Sequence, residues 1–305
     1  MLSIACALLL LGNAGWLLRG RSAGQSTTQA ALVQRYPLLS RRVLADNPND
    51  ILINFVPLRK MLEAKFASVD AQKSFYFEYL PDGTSIRVGD DTALVAASLI
   101  KVPLTMNLYH AAELGKIDID KTVTVTASEI DGGFGDLYTK GPGFTMTLRQ
   151  AAQYALEQSD NTAAHVIFDA TNGLLAYDQE SLAQLDVDQN IEQGQAVISA
   201  KSYTSILKSL YFASYLNKEH SQELLGYLTK STATDRLTNH LPKDVPVAHK
   251  IGVNNTNWSE SDCGIVYVPK RPYAICMMVG LPDGEASALI ADVSKDVYDF
   301  VSSQD

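Results

Sequence analysis

The sequence predicts an α/β fold of the α+β type: a five-stranded antiparallel sheet with the terminal helices on one face and a helical block on the other. The strand-like runs fall into two groups near the ends of the folded part, with helix-like segments between them. Such segregation is typical of antiparallel sheets with helices packed on them rather than of alternating β-α-β units. The 305 residues are 46% hydrophobic and 19% charged, as a globular protein with a sizeable core requires.

The elements follow in order from the spacing of apolar residues. From Pro57 onward apolar residues recur at helical spacing, and two strand-like runs then form a hairpin. The middle third of the chain is expected to be mainly helical, with glycine-rich loops. The predicted strands are 74–80, 85–88, 245–253, 262–268 and 273–280, and the later predicted helices are 98–114, 148–158, 162–170, 202–216, 221–229 and 286–302.

The first 55 residues differ in kind from the rest. Residues 1–18 contain no charged side chain, and the part from Leu2 to Leu18 would span about 25 Å as a helix, slightly less than a ~30 Å hydrocarbon core. We expect a membrane anchor there, with a secretory signal cleaved near Ser22 and Gly24 as the alternative. Residues 19–55 are predicted to be a linker, and residues 56–305 the folded domain.

Charge and cysteine content limit the partners and the covalent structure. The net charge of −9 argues against a nucleic-acid partner, whose phosphates would be repelled. Arg19 and Arg21 follow the apolar stretch, so the positive-inside rule alone would leave the folded domain in the cytoplasm. Cys263 and Cys276 fall on adjacent predicted strands, where a disulfide is geometrically conceivable, but we expect two buried free thiols.

Ser98 and Lys101 are three residues apart at the point where an extended stretch gives way to a helix. Residues at this spacing share a helix face, so the amine can reach the hydroxyl. A serine hydroxyl is a weak nucleophile unless a neighbouring base takes its proton, and a lysine can do so. The structural alternative is a helix-start serine followed by a solvated lysine.

Two further motifs lie downstream of this pair. Ser159-Asp160-Asn161 separates two predicted helices, and Lys250-Ile251-Gly252 lies inside a predicted strand. S-x-x-K, S-D-N and K-T-G, in this order, are the signature of class A β-lactamases and penicillin-binding proteins. The chain therefore resembles the serine β-lactamase and penicillin-binding family, closest to the class A branch, over roughly residues 56 to 305. The third motif departs from the family, which has threonine or serine where this chain has Ile251.

The resemblance implies acyl transfer without a metal or cofactor. Ser98 would attack a carbonyl carbon, and the backbone N–H groups of Ser98 and Val253 would form the oxyanion hole. Lys101 would act as the base, which requires the neutral amine. Burial and the positive charge of Lys250 are expected to lower its pKa from the usual ~10.4.

The same resemblance assigns the remaining site residues. Ser159 would pass a proton to the departing nitrogen, Asn161 would hold the substrate amide, and Lys250 would attract the substrate carboxylate. The expected catalytic residues are Ser98, Lys101, Ser159 and Lys250, and the expected substrate-binding residues are Asn161, Gly252 and Val253.

Several of these residues have a structural alternative. Ser, Asp and Asn are all favoured at helix N-caps, so the second motif could be a capping cluster. Lys250 could be an edge-strand charge that discourages strand addition. Tyr138 and Trp258 fit cleft lining or ordinary packing equally. The histidines show no metal-ligand spacing and are expected to be surface or packing residues; they are His110, His165, His220, His240 and His249.

Two departures from the family pattern affect the expected activity. The stretch 179–199, where class A enzymes carry the deacylating glutamate, is shorter here and lacks an E-x-x-L-N pattern. Its acidic residues, expected to be surface charges, are Glu180, Asp186, Asp188 and Glu192. Without a general base the acyl-enzyme would hydrolyse about 10²–10⁴-fold more slowly. The change at Ile251 removes a charge-assisted hydrogen bond worth about 1.5–3 kcal/mol to the substrate carboxylate.

The leading expectation is a monomeric serine hydrolase that opens β-lactam amide bonds. A penicillin-binding D,D-peptidase acting on peptidoglycan stem peptides is the second, favoured by the missing glutamate. A β-lactam sensor or scaffold without turnover is the third. An enzyme of this family should be membrane-anchored or secreted with its catalytic domain outside the cytoplasm, which conflicts with the orientation from Arg19 and Arg21.

Overall fold

The computed structural model describes residues 34–38, 53–89, 92–171, 185, 187, 189–256 and 258–304. The strands are β1 (Lys73–Tyr79), β2 (Thr84–Gly89), β3 (Leu94–Val95), β4 (Thr122–Thr124), β5 (Thr145–Thr147), β6 (Gln189–Glu192), β7 (Gln195–Ile198), β8 (Val247–Asn254), β9 (Ser259–Val266) and β10 (Tyr273–Val279). The main helices are α1 (Val56–Ala67), α2 (Lys101–Glu113), α3 (Leu148–Glu157), α4 (Asn161–Ala170), α5 (Ala200–Tyr211), α6 (Lys218–Leu228) and α7 (Asp283–Ser302).

The central sheet is antiparallel, with the strand order β2-β1-β10-β9-β8. This arrangement confirms the predicted five-stranded sheet, including the hairpin of β1 and β2. The strand β8, which carries Lys250, is an edge strand. Within this sheet, β8 therefore pairs with another strand, β9, on one side only.

The two faces of the sheet bury separate cores. Alternate residues of a strand point to opposite faces, so Phe75 and Phe77 of β1 pack with Leu58 and Leu62 of α1 and with Val297 of α7. The helices α2 to α6 pack on the other face, against residues that include Ala248, Cys276 and Met278. The prediction that the terminal helices cover one face and the helical block the other is confirmed.

The prediction of a mainly helical middle third is incomplete. A three-stranded sheet forms in the order β3-β7-β6, and β4 pairs with β5. These strands are two to four residues long, too short to show the alternation of apolar and polar residues that reveals a strand. The β6–β7 hairpin is important for function because its turn reaches the cleft described below.

The cysteine prediction is wrong. Cys263 of β9 and Cys276 of β10 form a disulfide, not two free thiols. The antiparallel register places these residues directly opposite each other, and both are fully buried. The register, which sequence spacing does not reveal, brings the two side chains together.

Among the residues that the structure describes, no helix has both the length and the apolar character needed to cross a bilayer. The predicted anchor, residues 1–18, lies outside the described residues, as does most of the linker.

Candidate active site

Ser98 and Lys101 are in direct contact. Ser98 lies in a short 3-10 turn, Ala97–Ile100, and Lys101 is the first residue of α2. The side-chain nitrogen of Lys101 lies 2.7 Å from the Ser98 hydroxyl oxygen. Lys101 is 4% exposed, which rules out the alternative of a solvated lysine. Ala97, just before the serine, has a φ of +46°, a strained conformation of the kind that clusters at functional sites.

The second and third motifs converge on this pair. Asn161 accepts a hydrogen bond from Lys101, with 2.7 Å between Oδ1 and Nζ. Lys250 donates to the hydroxyl of Ser159 across 2.7 Å. Two lysines, two serines and an asparagine from three distant segments of the chain therefore form one polar cluster.

The second motif is both a helix cap and part of the cluster. Asp160 is the N-cap of α4 and accepts from the backbone N–H of Ala163 at 2.8 Å and of Leu137 at 3.0 Å. The capping interpretation is therefore correct for Asp160. Ser159 has a φ of +57°, and this left-handed turn between α3 and α4 directs its hydroxyl to Lys250 while Asn161 reaches Lys101.

Gly252 allows the edge strand to approach the nucleophile turn. A Cβ atom at this position would lie 2.7 Å from the carbonyl oxygen of Ala96 and 2.5 Å from the hydroxyl of Ser261. Both contacts are closer than real side chains allow, so only glycine fits without movement. The next residue, Val253, lines the same cavity of about 510 Å³ as Ser98 and Lys101.

Burial shifts the pKa values of both lysines downward. Burial lowers the pKa of Lys101 to about 8, and the carboxylates of Asp160 and Asp131 act in the opposite direction. The pKa of Lys250 lies well below its usual value because of burial and then because of the positive charge of Lys101. Burial was expected to lower the pKa of Lys101, and the mutual repulsion of the two cations disfavours the state in which both are charged.

The turn of the β6–β7 hairpin forms one wall of the cavity through Gly194 and Gln195. Among the described residues that line this cavity, none carries a carboxylate. Glu192 is exposed and does not line it. The other acidic residues named for this stretch, Glu180, Asp186 and Asp188, lie outside the described residues.

A second cavity of about 370 Å³ is lined by Ser159 and adjoins the first through Val253 and Asn255. Ile251 and Arg236 line it, together with Phe134 from the glycine-rich loop. Neither Tyr138 nor Trp258 is among the described residues that line either cavity. Ile251 thus adjoins the cleft, where the family has a hydroxyl-bearing side chain.

Two residues near the site were not identified from the sequence. Asp131 accepts a hydrogen bond from the side chain of Asn161 at 3.1 Å. Arg236 is buried and donates to Glu260 at 2.9 Å. Neither belongs to a recognisable motif, since an aspartate before two glycines is typical of a turn and an isolated arginine is typical of a surface. His249, the histidine next to Lys250, is buried against Asp262 at 2.9 Å, a packing role.

The fold and the lysine-paired serine at the start of a helix define an active-site serine hydrolase. A family model described as a beta-lactamase enzyme family matches residues 57–301. The chain belongs to this family.

Individual relatives agree with this assignment. The chain is 30% identical over 230 residues to the extended-spectrum beta-lactamase PER-1 of Pseudomonas aeruginosa, covering 67% of this chain and 74% of that protein. It is 24% identical over 243 residues to a beta-lactamase of Bacteroides uniformis, covering 71% of this chain and 82% of that protein.

Two solved structures are similar in fold. PBP-A superposes with a TM-score of 0.72 at 24% identity, covering 80% of this chain and 95% of that one. The TLA-3 extended-spectrum beta-lactamase superposes with a TM-score of 0.74 at 19% identity, covering 82% of this chain and 100% of that one.

Proposed function

We propose that this protein opens β-lactam amide bonds through an acyl-enzyme on Ser98. The observation that carries the proposal is the 2.7 Å contact between Ser98 and a buried Lys101 whose pKa is lowered to about 8. A lysine with this pKa is neutral in an appreciable fraction of molecules near neutral pH. It can therefore accept the serine proton as Ser98 attacks the carbonyl carbon.

The tetrahedral intermediate is stabilised by backbone donors. The N–H groups of Ser98 and Val253 are proposed to hold the oxyanion, since both residues line the same cavity. Asn161 also lines it and is proposed to hold the substrate amide. Gly252 serves by letting the strand approach the nucleophile turn.

Collapse of the intermediate breaks the amide bond and leaves the acyl group on Ser98. The departing nitrogen needs a proton, and the Ser159 hydroxyl is proposed to supply it. Lys250, which donates to that hydroxyl, can return a proton to Ser159. A substrate carboxylate arriving near Lys250 would favour its charged form, because an opposite charge raises the pKa of an amine.

A penicillin-binding D,D-peptidase is the second candidate. The stretch 179–199 lacks the E-x-x-L-N pattern that carries the deacylating glutamate in class A enzymes, which supports slow hydrolysis of the acyl-enzyme. Peptidoglycan stem peptides present the same kind of amide to Ser98. A β-lactam-binding sensor without turnover would use the same acylation step and stop there.

We propose that the catalytic domain, residues 56–305, works as a monomer outside the cytoplasm. The disulfide between Cys263 and Cys276 supports this location, because disulfides persist in oxidising compartments and are rare in the cytoplasm of most organisms. Residues 1–18 would anchor or export the chain and residues 19–55 would link the anchor to the domain. The disulfide argues against the orientation suggested by Arg19 and Arg21.

Purified protein lacking residues 1–24, tested with a chromogenic cephalosporin and a fluorescent penicillin, separates the candidates. Rapid multiple turnover is expected for the β-lactamase, whereas a lasting label that is released slowly would favour the second or third candidate. Ser98→Ala should abolish labelling in every case. A wild-type protein that takes no label would overturn the acyl-enzyme proposal as a whole.

A further inference from the structure

The carboxylate of Asp131 is held beside the side-chain amide of Asn161. Its Oδ1 accepts hydrogen bonds from Asn161 Nδ2 at 3.1 Å and from the backbone N–H of Gly133 at 2.7 Å. The backbone of Asp131 is held as well: its N–H donates to the Thr162 hydroxyl at 3.0 Å, and that hydroxyl donates to its carbonyl at 3.2 Å. These contacts tie the glycine-rich loop to the first turn of α4, which carries Asn161.

Lys101 and Asp131 together determine which way the Asn161 amide faces. Its oxygen accepts from Lys101 at 2.7 Å, and its nitrogen donates to Asp131. Rotating the amide by 180° would place the NH₂ group against the lysine and the oxygen against the carboxylate. The second of these contacts joins two acceptors, so Asp131 disfavours the rotated form even when the lysine is neutral.

The orientation of the Asn161 amide affects how Lys101 can act as the base. A neutral lysine amine has two N–H bonds and one lone pair. When the Asn161 oxygen accepts one of the N–H bonds, the lone pair is left to face the Ser98 hydroxyl, 2.7 Å away. A rotated amide would instead offer its own N–H to that lone pair and compete with Ser98. One hydrogen of Asn161 Nδ2 also stays available to the cleft.

We propose that Asp131 is a positioning residue for the acylation of Ser98, acting through Asn161 to direct the Lys101 lone pair at the nucleophile. The inference rests on the proposed function, since it concerns the same acylation step. Asp131 is itself held in the charged form, because the hydrogen bonds from Asn161 and Gly133 lower its pKa. Gly133 is part of the same arrangement, because a Cβ atom at this position would lie only 2.9 Å from the side-chain nitrogen of Asn161.

The charge of Asp131 should also be visible in the pH profile. The charged groups that act on Lys101 are the carboxylates of Asp160 and Asp131, which raise its pKa, and it repels Lys250. Asp131 in turn faces His165, whose Nε2 lies 3.9 Å from its Oδ2. Removing the carboxylate should therefore lower the pKa of Lys101 and move the rise in acylation rate to lower pH.

The test uses Asp131→Asn and Asp131→Glu, with Asp136→Asn as the control because Asp136 is exposed in the same loop. The acylation rate constant with a fluorescent penicillin is measured between pH 5.5 and 9.5. Asp131→Asn should shift the midpoint to lower pH and reduce the high-pH rate about tenfold or more, as expected for loss of a charge-assisted hydrogen bond. Asp131→Glu should keep the midpoint nearer that of the wild type but lower the acylation rate constant. The control, Asp136→Asn, should change neither the midpoint nor the rate constant.

A double-variant comparison separates positioning from general damage. In an Asn161→Ala background, Asp131→Asn should change the high-pH rate less than twofold, because positioning acts through the missing amide, while the midpoint should still move to lower pH. If the wild type is labelled and Asp131→Asn keeps both its midpoint and its rate, the inference is overturned while the proposed function stands. A wild type without label overturns the proposed function instead. If both Asp131 variants fail to fold, the residue is structural and the inference is wrong.

Discussion

Lys250 donates a hydrogen bond to Ser159 across 2.7 Å, from a strand residue that is 1% exposed to a hydroxyl in a left-handed turn. The contact joins the edge of the sheet to the helical block at the floor of the cleft. Burial and the charge of Lys101 hold the pKa of Lys250 well below its usual value. The resting site therefore carries less positive charge than two ordinary lysines would give it.

The acylation rate should rise with pH around a midpoint of about 8. Lys101 must be neutral to accept the Ser98 proton, and burial lowers its pKa to about 8. Below this value the neutral fraction falls about tenfold for each pH unit, and the rate should fall with it. Stopped-flow labelling with a fluorescent penicillin measures the profile. A rate that does not change between pH 6 and 9 would assign the base role to another group.

Replacing Ile251 with threonine should accelerate acylation by penicillins. Ile251 lines the cavity beside Ser159, and a hydroxyl there would reach a substrate carboxylate. A charge-assisted hydrogen bond contributes about 1.5–3 kcal/mol, so the second-order acylation constant should rise about tenfold or more.

Two controls test whether the Ile251 effect comes from the hydroxyl. Ile251→Val keeps an apolar side chain and should show no gain with the same penicillin. The methyl ester of that penicillin lacks the carboxylate charge and should not discriminate between wild type and Ile251→Thr. An equal gain with the ester would contradict the explanation.

Removing the disulfide should destabilise the domain without removing the site. Cys263 and Cys276 close a loop with a sequence separation of 13 residues, and a cross-link of this length contributes about 3 kcal/mol. The double variant Cys263→Ala/Cys276→Ala should therefore unfold at lower urea concentration. Adding a reductant should lower the stability of the wild type and leave the variant unchanged. Equal stability of the two proteins under oxidising conditions would show that the bond contributes nothing.

Arg236 and Glu260 should be strongly coupled in stability. Arg236 is 3% exposed and Glu260 is fully buried, with 2.9 Å between the guanidinium and the carboxylate. Arg236→Met leaves a buried carboxylate that has lost its buried cation, and we expect a loss of about 3–5 kcal/mol in the free energy of unfolding. The double variant Arg236→Met/Glu260→Met should recover most of that loss. Additive losses in urea denaturation would contradict the coupling.

The sequence predicts the architecture well because its larger elements carry strong patterns. The β1–β2 hairpin and both layers of helices follow from apolar spacing and order. The family resemblance carried by the three motifs also implies that Ser98, Asn161 and Lys250 meet at one site. The hydrogen bonds of Lys101 with Ser98 and Asn161, and of Lys250 with Ser159, supply the distances.

The parts that the sequence misses depend on register and on contacts between distant segments. The disulfide depends on the pairing of Cys263 with Cys276, and two adjacent strands do not fix that pairing by themselves. Asp131 lies 30 residues before Asn161, in a segment whose glycines predict only a turn. The strands of the β3-β7-β6 sheet are too short to produce a periodic signal.

The close approach at Gly252 has a consequence for how this protein can evolve. With the Gly252 backbone this close to the carbonyl of Ala96, a side chain at residue 252 would push the edge strand away from the nucleophile turn. We therefore expect acceptance of bulkier substrates to come from the rim, where the β6–β7 turn and residues 254–256 line the cavity. We expect laboratory selection for new substrates to accumulate changes in these two segments and to leave residue 252 untouched.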